Sequence, residues 1–444
     1  MAATRRDEAE DAVLFDPIFK TGRSFYLTVA ALLAVVLWAV FTWFTQLRVG
    51  LGITGLNRPV MWGLYITNFV FFIGISHAGT LISAILRLCN AEWRRAITRS
   101  AEVITVLVLF IGAANIIIDL GRPDRALFVI QHGHLRSPLL WDVISITIYL
   151  TGSTIYLYLP LIPDIALVRD RATRRRWFYR ALALGWRGTE RQHRWLERGI
   201  AVMAILVIPI AVSVHTVVSW VFGMTIQPMW HSTIFGPYFV VGAIFSGIAA
   251  LIVAMALLRR VYHLEDYLRE VHFRNLGVLL LVMTLLWVYF TFAEHLTTYY
   301  GSDPAHMAVF RAKVTGHYAP FFWTMVVTCF VIPLPLLALR RTVTGTVVAS
   351  LSILVGMWLE RFTIVVPTLI NPRLPYERAL YHPTWVEFSL SAGCFAGFIL
   401  LYVLFSKLFP IVSIWEVREG REKGLEEAME RIKSYLPGAE RVAT

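Results

Sequence analysis

Cysteine is nearly absent from this chain: Cys89, Cys329 and Cys394 are its only three, widely separated and without C-x-x-C or C-x-x-C-H spacing. That argues against a disulfide framework, a cysteine-held iron–sulfur cluster and an attached c-type haem within it. Charge is also scarce. Only 16% of residues are Asp, Glu, Lys or Arg and 57% are hydrophobic, whereas soluble globular chains carry roughly 25% charged residues. A soluble domain is excluded and an integral membrane protein is expected. Acids are the scarcer sign, 29 against 41 Lys and Arg, for a net charge of +12. Such an excess on one exposed stripe would read as a nucleic-acid surface. Here the arginines fall in the gaps between apolar runs, so no nucleic-acid partner is expected and the bilayer is. A cleavable secretory signal is not expected either, because residues 1–19 are polar and acid-containing and no cleavage-like site follows the first apolar run.

What the chain does have is long apolar sequence. A helix crossing a bilayer needs about 20 mostly apolar residues. Ten runs qualify: 24–47, 60–88, 100–119, 139–161, 199–222, 232–258, 276–299, 318–339, 346–370 and 383–409. Arginine sets their orientation. The densest cluster, Arg169 to Arg198, fills the 162–198 connection; Arg87, Arg94, Arg95 and Arg99, then Arg259, Arg260, Arg269 and Arg274, then Arg340 and Arg341, mark the other even-numbered connections. These connections and both termini are expected on the cytoplasmic side of a bacterial inner membrane, with the odd-numbered connections outside. The 411–444 tail reads as an amphipathic helix on the cytoplasmic surface.

A weak internal repeat divides the runs. The second opens Gly63-Leu64-Tyr65 and closes Leu86-Arg87-Leu88, while the sixth opens Gly236-Pro237-Tyr238 and closes Leu258-Arg259-Arg260. The PLLW that opens the fourth run (138–141) returns as the PFFW that opens the eighth (320–323). Both copies begin outside, so the repeat is parallel. The expected fold is an all-α integral membrane protein with ten transmembrane helices: two four-helix bundles, helices 2–5 and 6–9, flanked by helices 1 and 10. The expected divisions are 1–59 (N-terminus and helix 1), 60–222 (first bundle), 223–370 (second bundle) and 371–444 (helix 10 and tail).

One stretch, 115–142 (NIIIDLGRPDRALFVIQHGHLRSPLLWD), concentrates polar chemistry. Asp119 closes the third run and Asp142 opens the fourth, with Arg122, Asp124, Arg125, His132, His134 and Arg136 between. Carboxylates at helix ends in lipid are costly and are usually kept for proton, ion or substrate handling. The plainer alternative is a pair of helix caps among headgroups. His215, His231, Glu294, His295, His317, Glu360 and Arg361 fall toward the same outer side, with Asn68 and His77 nearer mid-membrane. On this reading His77 and His215 are the only other ionisable groups in the lipid span of the first bundle.

The chemistry that fits is two-electron, two-proton quinol oxidation. A quinol hydroxyl needs an acceptor within about 2.6–3.2 Å whose pKa lies near the working pH, and a partly buried carboxylate suits that role. Asp119 and Asp142 are therefore the candidate acceptors, with Arg122 fixing their charge and orientation. Tyr65, Asn68, His77, Arg136 and Trp141 are the candidate ring contacts. His215, Glu294, His295, Glu360 and Arg361 form a weaker candidate proton path, and no metal-ligand set is expected. A bis-histidine haem b needs two histidines on each of two helices, about 13–14 residues apart. No run offers that, so electrons must leave through a partner protein.

The segments MWGLYITNFVFFIGISHAGTLISAILRL (61–88), DLGRP (119–123), RSPLLWD (136–142), SVHTVVSW (213–220) and PMWHSTIFGPYFVVGAIFSG (228–247) resemble the NrfD/polysulfide-reductase membrane-subunit superfamily. The resemblance spans all ten runs and is closest to the larger NrfD-like membrane protein of bacterial alternative complex III. It implies a quinol:cytochrome c oxidoreductase, or one with another periplasmic acceptor, in a respiratory or photosynthetic electron-transport chain. Quinol, menaquinone in preference to ubiquinone, would be oxidised at the periplasmic side of the first bundle. Electrons would pass to an iron–sulfur subunit and to multihaem and monohaem c-type cytochromes, beside a second NrfD-like membrane subunit, with a share in proton translocation. Asp142 matches the family's acid in RSPLxWD, and Arg122 its LGRP arginine. Two departures stand out. Asp119 occupies a position where the family implies histidine, and Ser219-Trp220-Val221-Phe222 lacks the acid of the family's SFDF.

Two other readings remain open: the membrane anchor of a molybdenum-type reductase, and a proton-coupled secondary transporter. The transporter would favour Gly/Pro-broken helices near the midplane in both repeats, whereas the polar groups here lie toward one surface. The second bundle is expected to lack a quinol site, because Thr324 stands where the first has Asp142.

Overall fold

The computed structural model describes residues 13–422, apart from Arg174, Arg340, Arg341 and the side chain of Ala78. Among the described residues ten helices are long and apolar enough to cross a membrane: α1 Arg23–Val49, α2 Leu64–Leu88, α3 Thr98–Asp119, α4 Pro138–Arg171, α5 Glu190–Gly223, α6 Phe235–Val261, α7 Glu270–Gly301, α8 Ala319–Ala338, α9 Val343–Leu369 and α10 Trp385–Leu408. They correspond to the ten apolar runs. At about 1.5 Å per residue even a 20-residue helix covers the roughly 30 Å hydrocarbon core. No strand occurs among the described residues, in keeping with lipid's demand that every backbone group be paired internally.

Three helices outrun their apolar runs. α4 and α5 have 34 residues each and α7 has 32. The excess lies mainly at the arginine-rich end, where Arg, Glu and Gln sustain a helix that hydropathy no longer marks. A capping box between Thr189 and Gln192 opens α5. As a result Asp164, outside the run 139–161, sits within α4 and is fully buried. α8 is irregular for a different reason. Pro333 and Pro335 supply no N–H, and the helix widens to a π turn over Val327–Val331, with the Ile332 N–H reaching back to the Val327 carbonyl at 3.0 Å.

α2 is the hub. It packs on α3, α5, α6, α9 and α10, and small residues let the backbones approach: Gly79 lies against Ala101 and Thr105 of α3, and Gly74 against Ala243 and Ser246 of α6. α3 against α4 and α4 against α5 complete one bundle; α6, α7, α8 and α9 form the other; α1 pairs with α10 beside α3. The bundles meet where α2 crosses α6 and α9 and where α5 meets α6. An amphipathic helix, Pro304–Val314, joins α7 to α8 and is capped by the Asp303 carboxylate, which accepts from the Ala305 and His306 N–H groups.

On the arginine-rich side residues 414–422 are helical, and the rest of the expected tail helix lies outside the described residues. This segment is clamped to the first bundle. Asp164 accepts from the Ile414 and Trp415 N–H groups at 3.2 and 3.0 Å and pairs with Arg99 at 3.1 Å. Arg87 and Arg94 hold Glu416 at 2.5 and 3.1 Å. Buried acids therefore occur at both membrane sides, which corrects the expected outward bias.

Candidate functional site

Asp119 ends α3 beside the first turns of α2 and α10. The Gln46 amide donates to the Ile118 carbonyl at 2.9 Å, and its oxygen accepts from the Tyr65 hydroxyl at 2.6 Å. Tyr65 and Glu387 are the electrostatic neighbours of Asp119. Glu387 forms a capping box with Thr384, accepts from the Gly55 N–H at 2.7 Å, and accepts from the Tyr381 hydroxyl, which itself receives the Leu64 N–H at 2.9 Å. Tyr65 is fully buried, and one Asp119 oxygen is buried without a hydrogen-bond partner. The 323-residue link between α2 and α10, made by Asn68 and Ser391, was invisible in sequence, although T-x-x-E just ahead of an apolar run is a legible cap signal.

Arg122 does not serve this group. Its guanidinium pairs with Asp124 at 2.9 Å on an exposed turn, with the two side chains 63% and 59% exposed. A carboxylate two residues away outcompetes one that would have to be reached through the helix end, so the expected orienting role is corrected. Arg136 lies exposed in the same connection, and the Trp141 indole is spent on the Leu135 carbonyl at 2.6 Å. Asn68 is also committed: its amide nitrogen donates to Ser391 at 2.8 Å and its oxygen accepts from Trp358 at 2.9 Å, tying α2 to α9 and α10.

Asp142 stands apart from Asp119. It lies just past the first turn of α4, 7% exposed, with one carboxylate oxygen buried and without a hydrogen-bond partner among the described residues. Tyr149 and Tyr156 follow at intervals of seven residues, on the same helix face. Facing them are His77 of α2 and His215 of α5, with ring centroids 3.7 Å apart and Tyr149 5.7 Å from His77. His77 Nε2 meets the Ala211 carbonyl at 2.8 Å, while its Nδ1 and both nitrogens of His215 have no partner. Below them Tyr149 bonds Thr80 at 2.7 Å, and Ser83 bonds Glu102 at 2.7 Å and Tyr156 at 3.2 Å. Glu102, 1% exposed, is an ionisable group in this bundle that the sequence reading left out. A polar lane thus runs down the inside of the first bundle.

The second bundle holds its own cluster. Glu360 and Arg361 form an ion pair at 2.7 Å, each 1% exposed, with Arg361 over the Phe239 ring at 5.0 Å and the Trp287 indole donating to Glu360 at 3.3 Å. A side chain at Gly242 would collide with the Arg361 guanidinium, which explains glycine there. Arg361 is also an electrostatic neighbour of His77 and His215, so the two bundles' polar groups adjoin. Tyr238, Glu294, His295, Lys313 and Glu360 line a cavity of ≈ 20 Å³, room for about one water. Lys313 was not anticipated. It and Val309 are the buried residues of the Pro304–Val314 helix, four apart on one face, a spacing that amphipathic periodicity marks. Burial draws Lys313 down to about 8, against the opposing pull of Glu294 and Glu360. His231 and His317 are exposed. Among the described residues no three His, Cys, Asp or Glu side chains group to hold a metal ion.

Ten spanning helices among the described residues, enclosing buried acids and imidazoles, define a polytopic membrane protein. The family model described as Polysulphide reductase, NrfD matches residues 52–372, and the chain belongs to that family. It is 25% identical to a subunit of the selenate reductase of Mesobacillus selenatarsenatis, over 88% of this chain and 94% of that protein. It is 23% identical to the Hdr-like menaquinol oxidoreductase integral membrane subunit of Archaeoglobus fulgidus, over 94% of this chain and 100% of that one. The menaquinone reductase integral membrane subunit of Nitratidesulfovibrio vulgaris is 24% identical, over 84% of this chain and 88% of its own length.

Proposed function

We propose that this chain is the quinol-binding membrane subunit of an oxidoreductase complex, taking protons from quinol while electrons leave through partner proteins. The observation that carries the reading is Asp142: a carboxylate just past the first turn of a spanning helix, almost fully buried, with one oxygen that has no hydrogen-bond partner among the described residues. Two relatives are named for menaquinol or menaquinone, which favours a menaquinone-type substrate. Quinol supplies two electrons and two protons. Asp142 accepts one proton above the His77–His215 pair, and Asp119 accepts the other beside Tyr65. The finer assignment is the role of the larger NrfD-like protein in an alternative complex III, with iron–sulfur and c-type haem partners, a cytochrome c acceptor and the arginine-rich face in the cytoplasm of a bacterial inner membrane.

The test is quinol turnover by the purified complex carrying Asp142→Asn. Turnover should fall while the full set of partner proteins stays assembled, and unchanged turnover would defeat the proposal. A second reading is favoured by the selenate reductase relative, matched over most of both chains: the anchor of a molybdenum-type reductase. Partner bands and the haem spectrum of the native complex separate the two. A c-type spectrum supports the first reading, and a molybdenum-containing partner without haem c supports the second.

A further inference from the structure

We infer that the chain carries a second ring-binding site, a slot between α5 and α6 that takes the headgroup of a quinone-type molecule. The inference rests on the function proposed above and adds a place to it. The slot measures ≈ 300 Å³ and is lined by Thr216, Ser219 and Trp220 from α5, by Ser232 from the α5–α6 connection and by Phe235 and Gly236 at the start of α6. This is the lower end of the range for small-molecule pockets. Aromatic walls with hydroxyls suit a flat ring that bears oxygens at its edges. No Lys or Arg lines the slot, so it lacks the groups that a phospholipid phosphate would require. Trp220, 47% exposed, flanks the slot on a spanning helix, where a ligand with an apolar tail arrives from lipid.

Its back wall is fixed. Trp230 stacks on Trp62 at 6.1 Å, meets Phe222 edge to face at 5.0 Å and donates its indole N–H to the Ile364 carbonyl at 3.0 Å. The preceding Met229 holds φ +63°, a left-handed conformation that an unbranched apolar side chain rarely adopts. Trp230 and Phe235 also wall the cavity that holds Glu294 and Lys313, and the Ser232 hydroxyl approaches the Glu294 carboxylate. A ring in the slot therefore sits one residue away from a buried acid. The internal repeat supplies an independent argument. Tyr65 and Asp119 in the first half correspond to Tyr238 and Glu294 in the second, with offsets of 238 − 65 = 173 and 294 − 119 = 175 residues. The second half lacks a counterpart of Asp142, but its tyrosine and acid line one cavity and the slot adjoins it.

The experiment is photolabelling of the intact complex in native membranes with an azidoquinone, followed by peptide mapping. A side chain added at Gly236 first meets Ser219 and Thr216 at 3.6 and 3.8 Å, so Gly236→Ala is tolerated while Gly236→Leu fills the slot. The expected result is label within 216–237 and also in α2–α4 of the first bundle. Gly236→Leu should abolish only the 216–237 label, and Gly236→Ala should retain both. Label confined to the first bundle, or a phospholipid retained by native mass spectrometry that excess quinone does not displace from 216–237, overturns the second site while leaving the proposed function standing. Absence of label anywhere in the chain overturns both.

Discussion

His77 and His215 meet edge to face in the middle of the first bundle, ring centroids 3.7 Å apart, and neither nitrogen of His215 has a hydrogen-bond partner among the described residues. A buried imidazole used for structure normally has its polar atoms satisfied. His215→Phe breaks no hydrogen bond but enlarges a ring already packed on His77, so it should cost about 1–3 kcal/mol of stability. If the pair relays protons, quinol turnover should nevertheless fall by about 10²-fold or more. Thermal unfolding and turnover of the same preparation check this. A stable variant with normal turnover reduces the pair to packing.

At the other membrane side, Glu416 should act as the latch of residues 411–422. Burial alone would raise its carboxyl, but Arg87 and Arg94 outweigh that and hold it below the ordinary value of 4.5. A depressed folded-state value gives stability that is present above the unfolded value and lost as the pH falls through the folded one. Proteolysis near 411–422 should therefore rise only in acid for the native chain. Glu416→Gln leaves two half-buried arginines without their counter-charge, a loss below the roughly 3–5 kcal/mol of a fully buried pair, and should expose the segment to protease at neutral pH. Equal cleavage of both proteins at pH 7 would contradict the latch.

The ten spans were legible because a membrane helix must be apolar along its length, and the two-bundle division because Gly63-Leu64-Tyr65 and Gly236-Pro237-Tyr238 open helices of the same direction. Charged helix ends were not. α4 was expected to stop at residue 161, which left Asp164 in a loop; hydropathy cannot tell a helix that leaves the bilayer from one that ends there. Arg122 was misassigned because nearness to Asp119 along the chain was read as contact, while Asp124 was nearer in space. Glu387 and Lys313 escaped notice because each reaches its site from a separate segment, across distances that no local pattern encodes. Whether Asp119 and Asp142 act together was also beyond sequence: the fold sets Asp119 against α2 and α10, and Asp142 on the face of α4 that carries Tyr149.

Lys313 gives a pH signature. Its value falls from 10.5 to about 8 in the folded chain. Between those limits the unfolded state binds the proton and the folded state does not, so this group's contribution to stability rises with pH from about 8 and levels off near 10.5. Below about 8 both states are protonated and the cost of burying the ammonium is constant. Lys313→Met removes the titration. The stability of the native chain relative to Lys313→Met should therefore increase from pH 8 to 10, and melting temperatures across that range measure it. A difference independent of pH would mean that the ammonium is not buried as the cavity places it.

The sharpest expectation concerns the two carboxylates, which the structure sets in different surroundings. Among the described residues Asp142 has no ionic partner and one of its oxygens has no hydrogen-bond partner, so Asp142→Asn keeps the shape and should leave assembly intact. Loss of one general base costs about 10²–10⁴-fold in rate, and quinol turnover should fall by that order. Asp119 lies beside Tyr65 and Glu387, a second acid within electrostatic reach. Asp119→His should therefore be milder: imidazole titrates near pH 6.5, can still take a proton, and relieves the repulsion between Asp119 and Glu387. The order of the two effects is the test. If Asp119→His is the more damaging and Asp142→Asn turns over normally, the proton acceptor lies in the Tyr65–Glu387 group and Asp142 is a helix-end residue without a catalytic part.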